Sequence, residues 1–206
     1  MLSTESANLT YPVMEHFYTL QGEGAFAGQA AYFIRLGGCD VGCVWCDVKE
    51  SWDAAAHPHM SLAEIVDAAL QFPGRIAVVT GGEPSMHALQ PLTDALHAAG
   101  FRTHIETAAS NPLTGDWDWV TLSPKKFKAP LAENMIWADE LKIIVFNASD
   151  LKWATNYAAQ VKSSCKLYLQ VEWEKRDVMS SLVIDFIQQN PTWQLSMQTH
   201  KYLNIP

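Results

Sequence analysis

The sequence predicts an α/β fold in which a parallel sheet is built from repeated strand–helix units. Three observations predict it. Apolar strand-like runs alternate with helix-like periodicity from residue 30 onward, and the residues following successive strands are short, polar and rich in small side chains. The chain is also long enough, at 206 residues with 49% hydrophobic and 17% charged content, to bury one sizeable core. No repeat or low-complexity linker divides it, so a single domain over 1–206 is expected.

Taken in order, residues 1–10 are polar and expected to fray, and they lack the basic and apolar regions of a signal peptide. Residues 11–20 are mixed apolar, and Gln21-Gly22-Glu23-Gly24 reads as a glycine-punctuated turn. Residues 30–36 read as a buried strand with Ala31, Phe33 and Arg35 on one face and Tyr32, Ile34 and Leu36 on the other. Arg35 therefore places a cation beside Phe33, either as a paired structural ion or as an anion binder. Ser61 and Glu64 have the spacing of a capping box, and Ile65, Val66, Ala69 and Leu70 continue a helical stripe up to Pro73-Gly74. Residues 75–80 are a strand, 86–99 a helix stopped by Gly100, and 102–106 the next strand. Further strands are expected at 118–122, 140–146 and 166–170, helices at 150–160 and 177–189, and a closing strand near 194–198. Repeated units of this kind imply right-handed crossovers.

A formal net charge of -8 argues against a broad phosphate-binding surface. No nucleic-acid partner is therefore expected, and a small metabolite is the easier substrate. No run approaches the roughly 20 apolar residues that cross a bilayer, so no membrane partner and a cytoplasmic location are expected.

Three of the four cysteines, Cys39, Cys43 and Cys46, fall in one short loop after the strand at 30–36 and the Gly37-Gly38 pair. A C-x2-C pair can open a zinc knuckle, but the fourth cysteine, Cys165, stands alone far downstream and closes none. Three thiolates in one loop suit an iron–sulfur cluster that keeps one iron free of protein. The C-x3-C-x2-C spacing resembles the cluster loop of radical S-adenosylmethionine enzymes, in which the amino and carboxylate groups of that cofactor chelate the open iron.

Ligands of parallel sheets sit beyond the C-terminal ends of the strands. Here those ends lead into the cysteine loop, Gly81-Gly82-Glu83-Pro84, Glu106-Thr107-Ala108, Ser123-Pro124-Lys125 and Gln170-Val171-Glu172. Each segment has a structural reading as a turn, a cap or a solvated pair. Their shared rim favours a site.

These marks resemble a narrower family, 7-carboxy-7-deazaguanine synthase, which contracts a pterin ring on the route to queuosine and related deazapurines. The resemblance covers most of the chain and rests on LQGEG (20–24), Arg35, CDVGCVWCD (39–47), TGGEP (80–84), ETA (106–108), SPK (123–125), DELK (139–142) and THKYLNIP (199–206). It implies a partial or modified TIM-like (β/α) barrel with about six parallel strands, and a homodimer. It also implies a 4Fe-4S cluster on Cys39, Cys43 and Cys46, S-adenosyl-L-methionine as cofactor, and an electron donor such as a flavodoxin or ferredoxin. Matching positions assign the adenosyl cofactor to Trp45, Cys46, Asp47, Gly82, Glu83, Ser123, Pro124, Lys125, Gln170, Val171, Glu172 and Trp173. The pterin falls to Leu20, Gln21, Gly22, Glu23, Arg35, Thr80, His200 and Pro206, with the terminal carboxylate of Pro206 and Glu23 accepting from ring N–H groups. The family's magnesium position is occupied by Val48, which has no side-chain oxygen, so a weaker dependence on Mg2+ is expected. The same cysteine spacing also occurs in activases of glycyl-radical enzymes, and a non-catalytic zinc-binding adaptor would carry the cysteines without radical chemistry. Cys165 reads as a buried small hydrophobe, and His57 and His59 as loop residues open to solvent.

Overall fold

The computed structural model describes residues 9–206; of residues 1–10, expected to fray, 1–8 lie outside the described residues and Thr10 instead begins a strand. The chain opens with β1 (Thr10–Leu20), β2 (Ala30–Leu36), β3 (His59–Ser61) and α1 (Leu62–Leu70). β4 (Ile76–Gly81), α2 (Gln90–Ala98), β5 (Arg102–Thr107), β6 (Trp119–Leu122) and β7 (Glu140–Val145) come next. The remainder is α3 (Ser149–Ala158), β8 (Lys166–Val171), α4 (Arg176–Gln189), β9 (Trp193–Ser196) and α5 (Thr199–Leu203).

All strands join one nine-stranded sheet in the order β3-β1-β2-β4-β5-β6-β7-β8-β9. Each pairing from β2 to β9 is parallel, while β1 runs antiparallel to both β2 and β3. The expected partial barrel of about six parallel strands is thus corrected to nine strands, with β3 and β9 at the edges. The two extra strands escape a periodicity reading for physical reasons. A register shift between Val13 and Glu15 breaks the alternation of β1, and β3 is only three residues long.

Helix α1 starts as its sequence dictates: Glu64 N–H donates to Ser61 Oγ at 3.3 Å and Ser61 N–H to Glu64 Oε2 at 2.7 Å. Helix α2 begins at Gln90 and not at residue 86. Pro91 in its first turn is tolerated only at a helix start, and residues 84–86 form a separate 3-10 turn capped by Glu83.

The helix-facing side of the sheet carries Ile34, Leu36, Val79, Ile105, Leu122, Leu141, Ile143 and Leu169, packed into one core with Leu62, Leu92, Leu96, Leu151 and Val183 of the helices. Burial of each such side chain contributes about 1.5–3 kcal/mol. The other face alternates out of register with it and is unlike a core. Apart from the small Ala31/Phe33/Val78 cluster it presents Arg35, Thr80, His104, Glu106, Thr121, Glu140, Lys142, Gln170 and Ser196. Five of these polar residues, Arg35, Thr80, Glu106, Lys142 and Gln170, line one cavity. No helix among the described residues is long and apolar enough to cross a membrane.

Candidate active site

A cavity of about 280 Å³ opens on this polar face at the C-terminal ends of the parallel strands. At one end stand the three cysteines. Residues 37–39 are held by backbone: Gly38 N–H donates to Ser51 O at 2.7 Å and Cys39 N–H to Trp52 O at 3.1 Å. Cys46 N–H donates to Cys43 O at 3.1 Å, which curls the loop, and all three cysteines line the cavity with Val41 and Ala108 packed against them.

The three thiols are free, and burial raises Cys39 and pushes Cys43 up to about 11. Among the described residues, no three Cys, His, Asp or Glu side chains converge as a single ion would require. A multi-iron cluster takes each thiolate on a different iron, and soft thiolates are its donors, so this donor set fits such a group. Cys165 is no fourth ligand. It is buried in the helix-side core just before β8, its thiol pushed up to about 12 by desolvation.

The loop after β4 closes over the cysteine loop from above. Gly82 N–H donates to Leu36 O at 3.0 Å and Glu83 N–H to Gly38 O at 2.7 Å. A Cβ on Gly82 would stand 2.2 Å from Gly38 O, so only glycine permits this approach. Glu83 is buried and its oxygens are occupied. Oε1 accepts from Ser85 N–H at 2.9 Å and from the Thr107 hydroxyl, and Oε2 from Ala108 N–H at 2.7 Å. It braces two rim loops against each other. Lys125 bends back onto Ser123, donating to its O at 2.5 Å and Oγ at 2.6 Å, and its burial lowers its pKa.

At the other end the turn after β1 is pinned from three directions. Gly24 N–H donates to Ser196 Oγ at 3.0 Å, Ala25 N–H to Glu140 Oε2 at 2.9 Å, and Thr199 N–H to Gly22 O at 2.9 Å. Ser196 Oγ in turn donates to Gln170 Oε1 at 2.6 Å. His200 packs so close on Gly22 that a Cβ there would meet its Nδ1 at 2.2 Å. Burial lowers the His200 pKa.

Between the two ends lies Lys142, 3% exposed, ion-paired with Glu23 and, at 2.9 Å, with Glu106 Oε2. Gln21 Nε2 donates to the other Glu106 oxygen at 2.8 Å. Burial alone would raise the Glu106 carboxyl, and the Lys142 ammonium overcomes it and holds the carboxyl below its ordinary range. Burial alone would likewise lower Lys142, and Glu106 and Glu23 reverse the shift and hold it above the usual lysine range.

The cavity brings together Leu20, Gln21, Gly22, Glu23, Arg35, Thr80, His200 and Pro206, and with them Trp45, Cys46, Asp47, Val48, Gly82, Glu83, Ser123, Lys125, Gln170, Glu172 and Trp173. Pro124 and Val171 are not among its lining residues. Arg35 lines it while its Nε donates to Glu15 Oε1 at 2.6 Å, a cross-strand partner the sequence left unread. Sequence reasoning also missed Lys142 as a site residue. Its signal was present: a lysine inside the apolar run of β7, where an unpaired charge is not tolerated. His57 is half-buried with Nε2 2.8 Å from Glu50 O, and exposed His59 pairs with Thr10.

Comparison with known proteins gives concordant results. Residues 33–122 match the Radical SAM superfamily. A 7-carboxy-7-deazaguanine synthase of Flavobacterium psychrophilum is 52% identical over 195 residues, covering 95% of this chain and 92% of that one. The protein of the same name from Synechocystis sp. is 46% identical, covering 98% and 97%. The crystal structure of QueE from Escherichia coli superposes with a TM-score of 0.84 at 33% identity, over 97% of this chain and 100% of that one.

Proposed function

The chain belongs to the 7-carboxy-7-deazaguanine synthase family of radical S-adenosylmethionine enzymes, and from that premise we propose how its cavity works. The reaction is conversion of 6-carboxy-5,6,7,8-tetrahydropterin to 7-carboxy-7-deazaguanine with loss of ammonia, in queuosine biosynthesis. Activation of a glycyl-radical enzyme and a zinc adaptor role are not favoured.

Cys39, Cys43 and Cys46 would hold a 4Fe-4S cluster, leaving one iron for S-adenosylmethionine. When bound, this pair would supply the radical chemistry that acts at C6 of the pterin. Everything else falls to the protein's own side chains. Of the residues lining the cavity, Trp45, Asp47, Gly82, Ser123, Lys125, Gln170, Glu172 and Trp173 are assigned to the cofactor, and Glu83 braces the rim loops. Leu20, Gln21, Gly22, Glu23, Arg35, Thr80, His200 and Pro206 of the same lining are assigned to the substrate. Arg35 offers its remaining guanidinium donors to the substrate carboxylate, and Glu23 accepts from the amino and ring N–H groups of the pterin edge. Val48 offers no side-chain oxygen to a metal, so magnesium, where used, would be held by substrate and waters or by a different side chain. A flavodoxin or ferredoxin as reductant and a homodimeric assembly complete the reading.

One observation carries the proposal. A single cavity holds both the three free cysteines and the hydrogen-bonded Gln21–Glu106–Lys142–Glu23 network. Anaerobic incubation of reconstituted protein with the carboxylated tetrahydropterin, S-adenosylmethionine and reductant tests it. Deazaguanine product and ammonia are expected in equal amounts. Cofactor cleavage that the pterin never converts into product would overturn the substrate assignment.

A further inference from the structure

The cavity floor holds a cation where a substrate pocket for a donor-rich ring has no evident use for one. Lys142 comes from the middle of β7, is 3% exposed, and spends two of its three N–H donors on Glu23 Oε2 and Glu106 Oε2. Glu106 is also gripped by Gln21, whose Oε1 accepts from Glu23 N–H at 3.1 Å. The four residues close a ring of hydrogen bonds. Among the described residues, nothing donates to Glu23 Oε1, although Glu23 lines the cavity.

We infer that Lys142 is the positioning residue of the substrate pocket: by fixing one oxygen each of Glu23 and Glu106, it aims Glu23 Oε1 as an ionised acceptor at a guanidine-like ring edge. This rests on the pterin reading given above. Two carboxylates side by side in a buried pocket repel each other and favour protonation of one of them, which would turn an acceptor into a donor and misread the ring. A shared ammonium removes the conflict and leaves one net negative charge, matched to a ring edge made of N–H groups. The other charged groups facing this cluster are Glu140 on the same strand, Lys125 from the loop after β6, Arg35 from β2 and His200 from α5. None of them replaces the direct contacts of Lys142 to both carboxylates.

The test is Lys142→Met in the cluster-loaded enzyme, with pterin binding measured by anaerobic titration alongside kcat and KM. Expected is a rise of at least about tenfold in both Kd and KM for the pterin, with iron content and S-adenosylmethionine affinity unchanged. The acid limb of the kcat/KM profile should move to higher pH, because Glu106 loses the cation that keeps it ionised. Wild-type Kd and pH profile in this variant would overturn the inference. Should Lys142→Met fail to fold, the double variant Glu106→Gln/Lys142→Met keeps the pocket's net charge but still leaves Glu23 without its holder. The raised Kd should persist there, and a wild-type Kd would again overturn the role. A wild-type enzyme that makes no deazaguanine would instead defeat the pterin reading itself, so the two failures are distinguishable.

Discussion

Lys201 Nζ lies 2.9 Å from Asp47 Oδ2, joining helix α5 to the residue beside the third cysteine across 154 positions of sequence. The same lysine sits 5.3 Å above the Trp173 ring, and Trp173 packs edge-on against Tyr202. The segment that carries His200 against Gly22 is thereby fastened to the cysteine loop. Each end then feels the loss of the clasp. Because Asp47 is largely exposed, the pair is worth under about 1 kcal/mol. Lys201→Ala should therefore raise KM for both the pterin and S-adenosylmethionine by no more than about fivefold. Steady-state kinetics with each varied in turn checks this, and a change in only one KM would contradict the clasp.

Two glycines separate the two ends of the site. Gly82→Ala puts a methyl against the Gly38 carbonyl, a backbone atom that cannot rotate away, so the cysteine loop must move. Gly22→Ala meets the His200 ring, which can swing at the expense of the substrate end. Iron analysis after reconstitution should show depleted cluster in the first variant and full cluster in the second. A raised pterin KM is expected only in the second.

Val48 lines the cavity, and its carbonyl accepts from both Ser51 N–H at 3.1 Å and Ser51 Oγ at 2.7 Å. The backbone is fixed, so Val48→Thr adds a hydroxyl with almost no change of shape. Magnesium titrated into metal-stripped protein should stimulate the variant more than the parent. An absolute magnesium requirement in the parent would contradict the reading of Val48.

His104 is buried beneath the site with its ring 4.4 Å from that of Phe26, and desolvation, aided by Arg102, depresses its pKa to about 4. The folded state prefers the neutral ring. Stability from this group is fully present above the unfolded histidine value near 6.5 and is lost progressively as pH falls from there to the folded value near 4, amounting to about 2 kcal/mol by pH 5. Chemical unfolding at pH 7 and pH 5 should show this loss in the parent and a smaller one in His104→Phe, which keeps an aromatic ring but does not titrate.

The seven parallel strands and the four helices α1 to α4 were legible because period-2 runs and capping signals agree with the tertiary environment. β1 was not, since its bulge spoils the alternation. That omission had a consequence for Arg35: its partner Glu15 stands on the unread strand, so the choice between structural ion and anion binder had no partner to weigh. The rim loops were legible from the small and polar residues at the C-terminal end of each strand. Lys142 was not, because a lysine in an apolar run reads as an isolated anomaly until β5 and the turn after β1 bring Glu106 and Glu23 to it. Contacts between residues distant in sequence leave no local pattern, and the centre of this site is made of them.

The most direct measurement is electron paramagnetic resonance of the anaerobically reconstituted, reduced protein with and without S-adenosylmethionine, alongside iron and zinc analysis. The account predicts four irons per chain and a cluster signal that shifts when the sulfonium cofactor is added, as binding to an iron lacking a cysteine ligand requires. A colourless protein with one zinc ion per chain, or a cluster signal indifferent to the cofactor, would contradict it.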